Sequence, residues 1–151
     1  MATFDKTNGS GGVPIAATSR DYVISNTIDL AAITGLATGD TIQALNVEAG
    51  TLVKKVLVKI DTALVGTSGS VTVGDGTNAA GWDTSVDLKG TAGTVSQTQL
   101  GLTEGMPNTL VDAFAAGKVY TAADTIDLVL TSNTVTTYGK VTVIALCAKV
   151  Y

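Results

Sequence analysis

Chemistry in this chain has few places to reside, and the first is the stretch VGDGTNAAGWDTS at residues 73–85. Asp75, Asn78 and Asp83 bring together oxygen ligands of the kind Ca²⁺ prefers, but the helix-flanked loop and closing Glu of an EF-hand are missing. Gly-Asp-Gly and Asn are equally the residues of a tight turn, because they tolerate positive φ and bond their own backbone. The turn is the favoured reading, and it implies that an Asn at position 75 would serve as well as Asp75. Asp83 with Asp87, and Asp124 with Asp127, are carboxylate pairs of the sort that divide acid and base roles in glycosidases. Such sites need aromatic platforms, and the chain has one Trp, four Tyr and two Phe.

There is no His, so Ser-His-Asp and Cys-His nucleophiles are excluded. The single Cys, Cys147, lies in the apolar run KVTVIALCAKVY and reads as a small buried hydrophobe. The glycines of GTSGSVTVGDG are followed by neither Lys-Ser/Thr nor a helix start, so they do not form a phosphate-binding loop. No catalytic, metal or cofactor-binding residue is assigned, and the protein is expected not to be an enzyme.

These residues must be positioned by a chain of 151 residues, a length that suits one domain with a full hydrophobic core. Its net charge of −4 and pI near 4.5 argue against wrapping nucleic acid, which calls for clustered Lys and Arg. No window approaches the roughly eighteen apolar residues of a membrane helix, and MATFDKTNGSGG lacks the apolar core of a signal peptide. The expected place of synthesis is therefore a cytoplasm.

Short runs rich in Val, Ile and Thr, separated by Gly, Asp, Asn or Ser-Gly, read as strands at 21–30, 40–47, 51–62, 69–76, 84–90, 93–100, 124–132 and 140–151. In the third, Val56, Val58 and Ile60 face inward with Lys55 and Lys59 outward, although Leu52, Lys54, Val56, Val58 and Ile60 cannot all share one dry face. In the seventh, Ile126, Leu128 and Leu130 share a face, with Thr125, Asp127, Val129 and Thr131 opposite. The last run is apolar on both faces, as in a central strand or one covered by a neighbouring subunit. The Gly-Ser break at 66–70 is expected to turn a hairpin. NTLVDAFAAG (108–117) has helical spacing at Leu110, Val111 and Phe114, and reads as a short helix or a loop. The fold class is all-β, a two-sheet sandwich or small barrel. Residues 1–18 form a flexible N-terminal arm and residues 19–151 the β-sandwich domain.

The segment VEAGTLVKKVLVKIDTALVGTSGSVTVGDGTNAAGWDTSVDL, with the later pair TAADTIDLVLTSNTVTTYGKVTVIALCAKVY, resembles small virion proteins of tailed bacteriophages. The resemblance covers roughly residues 40–150 and is to head decoration, or cement, proteins, with short cyanophage-associated members nearest in length and style. It implies an antiparallel jelly-roll-like β-sandwich, a homotrimer, and a seat on the outer capsid surface where major capsid subunits meet. The partners implied are the major capsid protein and further copies of the chain, with no nucleic acid and no membrane.

A cement protein needs a rigid body, a self-interface and a reaching extension. The doubly apolar last strand, with Val141, Val143, Ile144 and Leu146, is the expected subunit interface. Phe4, Val13, Pro14 and Ile15 are the sizeable apolar groups of the arm and its expected capsid contacts. Fully extended, residues 1–18 reach about 60 Å at roughly 3.3 Å per residue. A tail, fibre or collar component is the alternative, since such proteins reuse similar sandwiches. A carbohydrate-binding sandwich is a further one; it calls for exposed aromatics with a carboxylate or Ca²⁺ constellation at the loop tips, where Trp82 beside Asp83 is the only such pairing.

Overall fold

The computed structural model describes residues 1–5, 21–97, 113, 114 and 116–150. Over these the chain forms β1 (Thr3–Asp5), β2 (Asp21–Asp29), β3 (Thr41–Val47), β4 (Thr51–Thr62), β5 (Val65–Gly74), β6 (Asp83–Asp87), β7 (Val95–Gln97), β8 (Lys118–Tyr120), β9 (Asp124–Thr137) and β10 (Lys140–Lys149). A single 3-10 turn, Leu30–Ala32, is capped by Asp29, whose carboxylate accepts the Ala31 amide at 3.1 Å. One sheet runs β1-β3-β9-β5-β6 and the other β2-β10-β4-β7, with β8 also pairing β4. The pairs are antiparallel except β1 with β3. The chain passes from one sheet to the other from β1 to β2, β2 to β3, β3 to β4, β4 to β5, β6 to β7, β8 to β9 and β9 to β10, as in a jelly roll.

The core lies between the sheets. Ile42, Leu45, Val71, Val73, Ile126 and Leu128 of one sheet and Val53, Val56, Val58, Ile60, Val141 and Val143 of the other are buried. Each such side chain contributes about 1.5–3 kcal/mol by leaving water. The inward sets expected for β4 and β9 are in place.

A bulge explains the conflict within β4. Leu146 pairs with Lys55 and the next residue, Cys147, with Val53, so Lys54 is left over. The extra residue shifts the alternation, and Val53 and Val56 are both buried although three positions apart. Lys54 swings outward and meets Asp21 at 2.8 Å.

The Gly-Ser segment does not turn a hairpin. Ala63 and Leu64 carry the chain from one sheet to the other, and residues 66–70 run inside β5, paired with β9 through register shifts. The glycines there permit close approach: a Cβ on Gly66 would lie 2.3 Å from the Thr134 carbonyl oxygen. Two further elements lie outside the expected strand set. The segment read as an arm supplies β1, and β8 follows the stretch with helical spacing. Of that stretch Ala113, Phe114 and Ala116 are turn residues, while Gly117 has φ +91° and leads into β8.

Candidate functional site

Between β5 and β6 the Gly-Asp-Gly segment does turn the chain. The Asp75 amide donates to the Asn78 carbonyl at 3.0 Å, and Oδ1 of Asp75 accepts from the Thr77 amide (2.9 Å), the Thr77 hydroxyl (2.6 Å) and the Asn78 amide (3.1 Å). Gly74 is required by packing, since a Cβ there would stand 2.0 Å from the Asn78 carbonyl oxygen.

The other carboxylate oxygen has a second task, absent from a simple turn. Oδ2 of Asp75 accepts from the Lys118 ammonium and, at 2.8 Å, from the Tyr120 hydroxyl. Both donors come from β8. Lys118 also donates to the Thr77 hydroxyl at 2.8 Å, and its ammonium lies 4.4 Å from the Phe114 ring centroid and 4.8 Å from that of Tyr120. Trp82, fully buried, donates from Nε1 to the Tyr120 hydroxyl at 3.3 Å and meets Phe114 edge to face, with centroids 5.2 Å apart. Gly81 lets that ring in, because a Cβ there would lie 2.1 Å from it.

Burial pushes the Asp75 carboxyl up, but hydrogen bonds from Lys118, Thr77 and Tyr120 outweigh it and hold the group at about 2. The Tyr120 hydroxyl is driven well above its ordinary range, by burial first and then by the neighbouring Asp75 charge. The cluster is an ionic clasp holding β8 to the β5–β6 turn. The expectation that Asn would replace Asp75 without consequence is thereby corrected: a neutral side chain leaves the Lys118 ammonium without its buried counter-charge.

The oxygen groups weighed for Ca²⁺ do not converge. Asp75 faces Lys118, Asn78 Oδ1 accepts the Ala80 amide at 3.1 Å, and Asp83 accepts from the Ser85 amide at 2.9 Å and the Ser96 hydroxyl at 2.6 Å. Among the described residues no group of three or more His, Cys, Asp or Glu is placed to hold a metal ion. Asp87 Oδ1 is taken by the Lys89 amide. Asp127, on the outer side of β9, is buried beside Gly74 and Gln43 and accepts the Thr125 hydroxyl at 2.7 Å. Burial first, then the Asp124 and Asp75 charges, raise its carboxyl to about 6. Cys147 is buried and its thiol is pushed up to about 11 by desolvation, an inert hydrophobe as expected.

The expected interface strand divides into two faces. Val141 and Val143 point into the core with Ala145 and Cys147, so they offer nothing to a neighbour. Ile144 and Leu146 lie on the outer side of their sheet, half-buried. Register aligns Val23, Leu146 and Lys55 in one cross-strand row, and Ser25, Ile144 and Leu57 in the next. Tyr22, Val23, Lys54, Leu146 and Cys147 line a cleft of about 260 Å³ there. Of the expected arm contacts, Phe4 belongs to β1, whereas Val13, Pro14 and Ile15 lie outside the described residues.

No family model matches the chain, and no curated protein sequence does. Solved structures do. A chain in the capsid of Ralstonia phage GP4 superposes with a TM-score of 0.63 at 14% identity, covering 98% of both chains. One in the cyanophage Pam1 capsid asymmetric unit gives 0.57 at 18% identity, covering 95% of this chain and 98% of that one. One in the acidic stable capsid structure of Helicobacter pylori bacteriophage KHP30 gives 0.56 at 13% identity, over 86% and 88%. At such identities the likeness is one of fold.

Proposed function

We propose that the chain is a virion structural protein of a tailed bacteriophage, a decoration protein that binds the outer capsid surface at junctions of major capsid subunits and stabilises the shell. The observation that carries this reading is likeness from end to end: 98% of this chain and 98% of the chain in the Ralstonia phage GP4 capsid share one fold. The matched chains are thus close to this one in length. The described body suits a mechanical role. Its turn carboxylate is spent on a clasp, its thiol is buried, and its strands close around one core.

Attachment in this reading comes from the segment before β2, where Val13, Pro14 and Ile15 are apolar anchors in a polar, glycine-rich stretch. Self-association uses the outer face of β10, with the Val23–Leu146–Lys55 row and the Ser25–Ile144–Leu57 row beside it. The homotrimeric stoichiometry comes from the family resemblance. Adding the purified protein to shells that lack it tests the reading. Bound protein should sediment with the shells and raise the temperature at which they break; shells that sediment bare would overturn it.

A further inference from the structure

We propose that copies associate front to back: the outer face of β10 and β4 in one copy, bearing Lys55, seats on the Asp124–Asp127 end of β9 in the next copy. This inference rests on the self-association reading and goes beyond it by naming the surface that the β10 face meets.

The two sheets differ in charge. No Lys or Arg lies in β1, β3, β5, β6 or β9, whereas every lysine of the described strands belongs to the other sheet. On the outer face of that sheet, Lys54 meets Asp21 at 2.8 Å, Lys59 meets Asp61 at 2.7 Å and Lys140 meets Asp29 at 3.0 Å. Lys55 differs: among the described residues no carboxylate lies within ion-pair distance of it. It stands half-buried in one row with Leu146 and Val23, and Val23 is 53% exposed. A lone cation is thus set among the apolar groups that self-association covers.

Covering the face takes water from the Lys55 ammonium, and a desolvated charge without a partner is strongly unfavourable. A two-fold contact of this face with itself supplies no remedy. It brings together the same residues, whose carboxylates, Asp21, Asp29 and Asp61, are already engaged by lysines. The opposing surface must therefore carry an uncommitted carboxylate.

The start of β9 carries one. Neither Asp124 nor Asp127 is ion-paired with a described lysine. Asp124 is half-buried; its Oδ1 accepts the Thr125 amide at 2.8 Å, and its Oδ2 has no hydrogen-bond donor among the described residues. Asp124 lines a cleft of about 190 Å³ with Thr77 and Lys118, and the Lys118 charge is matched by Asp75. After burial, the charges of Asp124 and Asp75 are what raise the Asp127 carboxyl, the mark of a negative field at this end. A contact between two different patches runs head to tail and closes into a ring where its rotation allows.

The test separates front from back. A tagged Leu146→Asp chain, first shown to melt like wild type, has a disabled front and an intact back, so untagged wild-type chain should co-purify with it. A face that pairs with itself predicts no co-purification. Adding Asp124→Lys to the tagged chain should cut the captured wild type by about tenfold or more, and Lys55→Glu in the untagged chain should restore capture. Asp124→Asn, which keeps an acceptor for the Thr125 amide, is the milder variant and should also lower capture. No capture by the Leu146→Asp chain overturns the proposal, as does capture indifferent to both Asp124 substitutions. Self-association of the Leu146→Asp chain alone, or wild type that sediments only as a monomer, overturns it too. Shell binding is scored separately with unmodified protein, so failure of the front-to-back contact and failure of the decoration role give different results.

Discussion

The Lys118 ammonium meets the buried Asp75 carboxylate across 43 positions of sequence, closing β8 over the turn between β5 and β6. Asp75 thereby shapes its own turn with one oxygen and holds a distant strand with the other.

Asp75→Asn should therefore destabilise the fold even though Asn suits the turn. Removing one partner of a buried, hydrogen-bonded pair costs about 2 kcal/mol when the cation retains some access to water, which for a chain of this size lowers Tm by roughly 4–8 °C. Thermal unfolding of Asp75→Asn, Lys118→Met and the double variant checks this. The clasp predicts that the double variant loses less than the sum of the singles, whereas strict additivity would show that the two side chains act independently.

Asp127 has the opposite pH signature. Its folded carboxyl, at about 6, lies above its unfolded value, so it favours the folded state below about pH 4 and loses that contribution as pH rises through 6. Asp75, held at about 2, contributes fully above about pH 4 and loses its contribution as pH falls through 2. Asp127→Asn keeps an acceptor for Thr125 and should stabilise the protein at pH 8 by on the order of 1–2 kcal/mol while leaving pH 4 nearly unchanged. Urea unfolding at the two pH values measures this; an unchanged difference between them would remove Asp127 as its source.

Calcium should not stabilise the protein. A divalent cation at the Gly-Asp-Gly turn would have to displace the Lys118 ammonium from Asp75, while Asn78 and Asp83 are each committed to other partners. Tm should be the same in Ca²⁺ and in chelator, and a rise of several degrees with Ca²⁺ would restore the cation reading of this loop.

The last strand should respond according to face. Leu146→Asp, on the outer row, should leave Tm close to wild type and lower the sedimenting mass of the assembled protein. Val143→Asp places a charge in the core and should prevent folding. Intact assembly in Leu146→Asp would remove this face as the self-interface.

Much of the fold was legible because alternation reports facing directly: Ile126, Leu128 and Leu130, and Val56, Val58 and Ile60, lie where their spacing put them. The sandwich followed from the number and length of such runs. The bulge at Lys54 was visible only as a conflict, since alternation breaks there without indicating which residue is extra. The β4–β5 hairpin failed because glycines that allow strands to approach closely look the same in sequence as glycines that turn a chain. The clasp was hidden more completely. Asp75 carries its turn signal in adjacent residues, but Lys118 and Tyr120 reach it through tertiary placement. A weak hint lay in KVY, where Lys118 is followed by two strand-forming residues ahead of the strong strand β9. The strand β1 has only three paired residues, too few for any periodicity to show.

The decoration role is tested most directly by quantitative mass spectrometry of purified virions whose genome encodes this chain. Decoration of an icosahedral shell predicts on the order of hundreds of copies per particle, in fixed ratio to the major capsid protein. A count of about six or twelve would place the chain at a tail or collar, and absence from the particle would contradict a virion role altogether.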